Sequence, residues 1–299
     1  MSSYLGELAG LLTSLMYTIN AAVITRAGHQ VGAVVVNRVR VVFAFVYLII
    51  INLILFGQPL PFGASADRWG WLAISGVIGL ALGDAFLFES FLLVGPRVGS
   101  LLLALSTVFG ILEAWMFFGE TLTTLQILGI ALTLGGIVWV VIERQSGQES
   151  PHPRAATGIM FGVLAALGQA TGYVFSKQGM LGNFSPFQGN VIRMSAAMLA
   201  LWLMAAFQKQ IRPTIQTLRQ NVPALKQLAL AAFIGPVLGV TSSLLAVQHA
   251  EVGVASVLTS LSPIFLLPVS YFILKEKIGW QAVAGTLLAM AGVFTLFLT

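Results

Sequence analysis

The 299 residues contain no cysteine, so disulfides and thiolate metal sites are excluded, although the absence identifies no compartment. Charge is nearly as scarce. Only 8% of the chain is Asp, Glu, Lys or Arg, too little to coat the surface of a soluble globule. Histidine is limited to His29, His152 and His249, all in or beside expected loops. Only His152 has a carboxylate three or four residues away, the helical spacing of a metal site, and that one, Glu149, falls with it in the Pro- and Ser-containing linker, so no metal centre is expected and no cofactor is implied. Phosphate-loop and nucleophile motifs are also missing from the longest loops. No Lys or Arg precedes Arg26, so the first apolar stretch lacks the basic start of a cleavable signal peptide and is expected to be retained.

Lipid-soluble sequence takes the place of charge. Hydrophobic residues make up 58% of the chain and the mean hydropathy is +0.93. A membrane-crossing helix needs about 20 mostly apolar residues. Ten segments qualify: 4–26, 33–56, 69–90, 98–118, 122–142, 157–177, 187–207, 225–247, 254–274 and 278–298. Strands of a membrane barrel are ruled out, since those alternate apolar and polar residues over about 10 positions. The expected fold is an all-α membrane protein.

The ten segments fall into two copies of five. Ser106, Glu120, Gly129 and Gly136 return as Ser262, Glu276, Gly285 and Gly292, each 156 residues later. Nearer the start of each half, Asn37 and Arg40 return as Asn190 and Arg193 at a spacing of 153, and Gly6 and Gly10 return as Gly158 and Gly162. An odd number of crossings per half makes the second copy enter the bilayer from the other side. The predicted organisation is a five-helix repeat over 1–145, a Pro- and Ser-containing linker over 146–156, and an inverted five-helix repeat over 157–299. Inverted repeats of this kind are the architecture of secondary transporters, which bind substrate between the halves.

Basic residues set an expected orientation. Ten of them, Arg26, Arg97, Arg144, Arg154, Lys209, Arg212, Arg219, Lys226, Lys275 and Lys277, follow segments 1, 3, 5, 7 and 9, against Arg68 and Lys177 on the other face. The positive-inside rule then puts these loops in the cytoplasm and both termini outside it. The net charge of +5 is accordingly attributed to loops attracted to anionic membrane lipid, not to nucleic acid, because the basic residues are dispersed over five loops. Residues 208–224 are expected to form a cytoplasmic interfacial stretch with some helical turns.

Several stretches resemble one family. Phe118-Gly-Glu-Thr-Leu-Thr-Thr-Leu-Gln-Ile-Leu-Gly129, its repeat from Leu274 to Gly285, the preceding Leu105-Ser106 and Leu261-Ser-Pro263, and Gly79-Leu-Ala-Leu-Gly-Asp84-Ala-Phe-Leu-Phe88 are similar to EamA-type helices of the drug/metabolite transporter superfamily. The resemblance covers the whole chain. It implies a permease or exporter of small metabolites in a bacterial inner membrane, with segments 1–4 and 6–9 around a cavity and segments 5 and 10 peripheral. Many relatives place both termini in the cytoplasm, whereas the basic residues here favour the reverse.

Polar residues at membrane depth are the functional candidates, because burying them there is costly. Arg40 and Asp84 both lie ~9 to 10 Å from the inner face at 1.5 Å per residue, and Glu113 and Arg193 both lie ~8 to 9 Å from the outer face. Each pair is either an alternating gate or a static ion pair that fixes packing. Tyr17 and Gln169 occupy matching midplane positions 152 residues apart and are expected to bind substrate, together with Asn20, one turn beyond Tyr17, and Ser262. Pro263 and Pro268 free the carbonyls of Thr259 and Ile264, for a ligand or as an ordinary kink. Phe86, Phe88, Phe109 and Trp115 offer aromatic area to substrate, or to lipid and core. Arg38 and Glu89 are expected near headgroups at the inner mouth, and Glu120 and Glu276 as helix-capping residues.

The expected activity is secondary transport of a small metabolite, such as an amino acid, by alternating access. A channel for small solutes is the alternative, and a membrane-embedded enzyme has no visible catalytic centre. Small residues at helical spacing, Gly135, Gly136, Gly285 and Ala289, allow close helix approach, either within the monomer or at a homodimer seam.

Overall fold

A computed structural model describes residues 5–118, 123–146, 154–182, 184–249, 258–259, 261–272 and 278–295. Every secondary-structure element among the described residues is helical. In the first half these are α1 (Leu5–Val31), α2 (Ala33–Phe56), α3 (Ala66–Ser75), a π-helical segment π1 (Gly76–Gly83), α4 (Asp84–Leu103), α5 (Leu105–Phe118) and α6 (Thr124–Ser146). In the second they are α7 (Ala155–Gly179), α8 (Pro186–Phe207), α9 (Ile211–Gln220), α10 (Val222–Ala232), π2 (Phe233–Gly239), α11 (Val240–His249), α12 (Ser262–Phe272) and α13 (Trp280–Thr295). Glu120, Glu276 and Ser260, and much of the expected span 254–274, lie outside the described residues.

Among the described residues, seven stretches are long and apolar enough to cross a membrane: Leu5–Val31, Ala33–Phe56, Ala66–Leu103, Thr124–Ile142, Ala155–Gly179, Pro186–Phe207 and Val222–Ala246. Ser262–Phe272 and Trp280–Thr295 are shorter apolar helices. The 38-residue stretch Ala66–Leu103 is not one straight rod, because Gly95 breaks it with φ 75° and ψ 160°. Pro96 follows, and proline drives the residue before it out of helical geometry, so a new helical run begins at Pro96 and continues through α5. Only glycine adopts this positive φ without strain.

The boundaries depart from the sequence expectation where no breaker stands. The first helix was expected to end at Arg26, yet α1 runs on to Val31 because Ala27, Gly28, His29 and Gln30 do not interrupt it. The chain then reverses at Gly32, with φ 83°. The stretch 208–224 does hold a helix, α9, whose Thr214 hydroxyl accepts from Arg38 at 3.1 Å. Arg38 also donates to Gln208 at 3.2 Å and is 3% exposed, so it anchors this loop instead of reaching headgroups as expected.

Burial runs the way lipid as solvent requires. Ile54 is 75% and Phe207 86% exposed, whereas Arg193 is 1% and Arg40 3% exposed. Helices α6 and α13 pair closely. A Cβ at Gly136 would lie 2.3 Å from the Ala289 nitrogen, and one at Gly292 would lie 2.4 Å from the Thr133 nitrogen, so the two backbones touch. Gly136, Gly285 and Ala289 therefore join α6 to α13 within one chain, whereas a Cβ at Gly135 would meet open space.

Candidate functional site

The centre of the site is where the third crossing of each half leaves α-helical geometry. In π1 the Asp84 amide donates to the Gly79 carbonyl, five residues back, and in π2 the Val240 amide donates to that of Gly235. Gly79 and Gly235, Gly83 and Gly239, and Asp84 and Val240 are all 156 residues apart, so the two π segments are repeat mates. A π turn leaves backbone carbonyls off the regular ladder, and such turns concentrate at functional sites. Asparagine closes the gap in both halves. Asn37 Nδ2 donates to the Ala81 carbonyl at 2.9 Å, and its mate Asn190 donates to the Pro236 carbonyl at 2.7 Å and to Thr241 Oγ1 at 3.0 Å.

Each π segment lies against the first helix of the other half. A Cβ on Gly172 of α7 would sit 3.0 Å from the Gly79 Cα, and one on Gly168 3.2 Å from the Gly83 Cα. On the other side the fit uses side chains. Asn20 covers Gly235, whose Cβ would lie 2.5 Å from the amide carbon, and the Tyr17 ring covers Gly239, whose Cβ would lie 2.8 Å from it.

Between these elements is a cavity of about 110 Å³. Tyr17, Asn20, Arg40, Asp84, Gln169 and Ser262 all line it, as do Tyr173, Leu87, Phe88, Phe91, Ser100, Ser106, Val240, Thr259 and Pro263. Arg40 and Asp84 form the expected ion pair, through a hydrogen bond from Arg40 Nη2 to Asp84 Oδ2. Arg40 also donates to Asn37 Oδ1 at 3.2 Å, and its guanidinium lies 4.8 Å from the Phe88 ring centre. The pair is buried, a setting in which Coulombic attraction is strong but desolvation is costly, so the extra bonds to Asn37 and Phe88 matter.

The second expected pair does not form. Glu113 accepts from Thr171 Oγ1 at 2.6 Å, and Arg193 makes no salt bridge among the described residues. Matching depths were a poor guide because direction around the bundle differs: α8 packs on α2, α3, π1 and α11, whereas α5 packs on α4, α6 and α7. Arg193 is instead buried without lining the cavity, and its Nε and Nη1 lack hydrogen-bond partners among the described residues. Its backbone carbonyl abuts Gly76, where a Cβ would be 2.2 Å away.

Other expectations divide. Ser262 reaches the cavity wall, yet its hydroxyl donates to the Ser14 carbonyl at 3.0 Å, which ties α12 to α1. Pro263 sits at the start of α12 and therefore interrupts no described helix, while Pro268 lies inside it. Of the four aromatic candidates Phe88 alone lines the cavity. Phe86 stacks on Phe161 at 5.6 Å, Phe109 packs into an apolar cluster, and Trp115 is half exposed. Tyr173 and Phe91 were missed, although one turn from Gln169 and Phe88 respectively puts them on the same helix faces.

The arrangement has relatives. A family model described as the EamA-like transporter family matches residues 4–142 and again 156–298. Comparison with curated proteins gives no match. Among the solved structures that match is a crystal structure with 16% identity and a TM-score of 0.66, over 97% of this chain and 94% of that one, and it has the same fold. With the family pattern occurring twice and spanning nearly the whole sequence, this multi-pass membrane protein belongs to the EamA-like transporter family.

Proposed function

We propose that the protein is a secondary transporter of a small metabolite, such as an amino acid, with ten crossings arranged as inverted repeats that rock around the central cavity. The observation that carries this is that the repeat mates Tyr17 and Gln169 line one cavity, next to two repeat-related π segments. A transporter built from inverted repeats places its site at that interface and opens it alternately to each side. Tyr17, Asn20 and Gln169 hold the solute, with the Phe88 and Phe91 rings against its apolar part. The Arg40–Asp84 pair joins α2 to the start of α4 within the first half and acts as a gate, because opening the cavity by parting these two helices must break it.

Single cysteines at positions 17 and 169, in a chain naturally free of cysteine, are expected to react with small water-soluble thiol reagents. Substrate should protect them. Purified protein in liposomes should give saturable flux with counterflow; flux that never saturates would make it a channel, and inert cysteines at both positions would assign these side chains to packing.

A further inference from the structure

We propose that the cavity recognises its solute by a carboxylate group, with Arg193 supplying the charge that selects it. The proposal rests on the reading of the cavity as the transport site. Arg40 and Arg193 are repeat mates, but a single cavity carboxylate serves both halves: the position 156 residues after Asp84 is Val240. Asp84 is engaged by Arg40, which takes Asn37 Oδ1 as well. Arg193 is 1% exposed, and its Nε and Nη1 have no hydrogen-bond partner among the described residues. Arg193 does not itself line the cavity, but its Nη2 reaches π1, 3.6 Å from where a Cβ on Gly79 would lie, in the segment that ends beside the cavity residue Asp84.

Among the described residues, two buried guanidiniums and one carboxylate leave one arginine without an ion-pair partner. Burying such a charge is costly unless it is paired. Glu113 forms no ion pair with it, and its carboxylate accepts a hydrogen bond from Thr171 on α7. An incoming carboxylate restores neutrality and takes hydrogen bonds from the tyrosine hydroxyls and the Gln169 amide. An amine would add to the excess, and a neutral amide would leave it. The volume of about 110 Å³ suits a compact solute, roughly the space of three to four waters in the liquid.

Thermal unfolding of the purified full chain tests this with lactate, alanine and benzoate, each against its own amide at equal concentration and ionic strength. A ligand that binds only the folded state raises its stability. At least one acid is expected to bind roughly tenfold or more tightly than its amide, or by about 1.4 kcal/mol. Arg193→Gln should erase that preference and Arg193→Lys should keep part of it. Equal stabilisation by acid and amide, stabilisation by no acid, or an acid preference that survives in Arg193→Gln overturns the proposal. Stabilisation by chloride or nitrate to the same extent makes the site one for inorganic anions and overturns the organic assignment. The comparison of acid with amide needs only the unmodified protein, so a variant that fails to fold leaves it intact. Counterflow separates the two readings: an acid that binds but is not exchanged across liposomes overturns transport alone, and exchange of amides without acids overturns the carboxylate alone.

Discussion

Asp84 stands between two arginines and satisfies one, which makes it the residue whose removal should be felt most. In Asp84→Asn both Arg40 and Arg193 remain buried without a carboxylate, and breaking one partner of a buried pair costs about 3–5 kcal/mol. Thermal or denaturant unfolding should show that loss, with much of it recovered when Arg40→Met is added, because an apolar replacement of the pair leaves no stranded charge at that position. A double variant no more stable than the single would mean that Asp84 mainly serves Arg193. The converse change is also informative. Val240→Asp installs an acid at the repeat mate of Asp84, so it should weaken binding of carboxylate-bearing solutes in the same unfolding assay while leaving the response to their amides unchanged.

At the level of elements, the paired π segments set the shape of the cavity, and each depends on one asparagine. Asn37→Ala and Asn190→Ala leave the carbonyls of Ala81 and Pro236 unsatisfied, a loss of about 1–3 kcal/mol apiece. Hydrogen exchange should localise the effect to 76–84 in the first variant and to 233–240 in the second; protection lost evenly along the chain would refute a local role. The glycines and Pro236 of these segments could be seen in the sequence, and their spacing of 156 matched the other repeat marks. The π geometry itself was not legible, because apolar runs with this composition are compatible with unbroken helix until a neighbour supplies the hydrogen bond. The reversal at Gly32 was hidden for a related reason: glycine permits a positive φ without requiring it.

On the scale of the molecule, the excess of basic residues after segments 1, 3, 5, 7 and 9 predicts termini outside the cytoplasm. A reporter active only in the cytoplasm should be silent when fused after Thr299 and active when inserted near Gln148. The reverse pattern would invert every assignment of inside and outside. Gating belongs to this scale too. Neutralising Asp84 should shift the balance toward cytoplasmic opening by ~1–3 kcal/mol, the range of coupling between states. Cysteine accessibility at the two mouths would report the shift. Glu113→Gln should change accessibility little, since its bond to Thr171 ties α5 to α7 and leaves Arg193 untouched.

Sequence alone determined the solvent, the repeat and the residue types at the site. Length and hydropathy force lipid-facing helices, and a constant spacing survives whatever the helices do in space. It also put Tyr17, Asn20, Arg40, Asp84, Gln169 and Ser262 forward, all of which line one cavity. Only tertiary structure decided who faces whom. Depth along a helix can be counted at a fixed rise per residue, but the direction of a side chain around the bundle depends on which helices pack together. For that reason Arg40 and Asp84, on contacting helices, meet as depth suggested, while Arg193 and Glu113, matched equally well in depth, are bound to different neighbourhoods and leave Arg193 without an ion pair among the described residues.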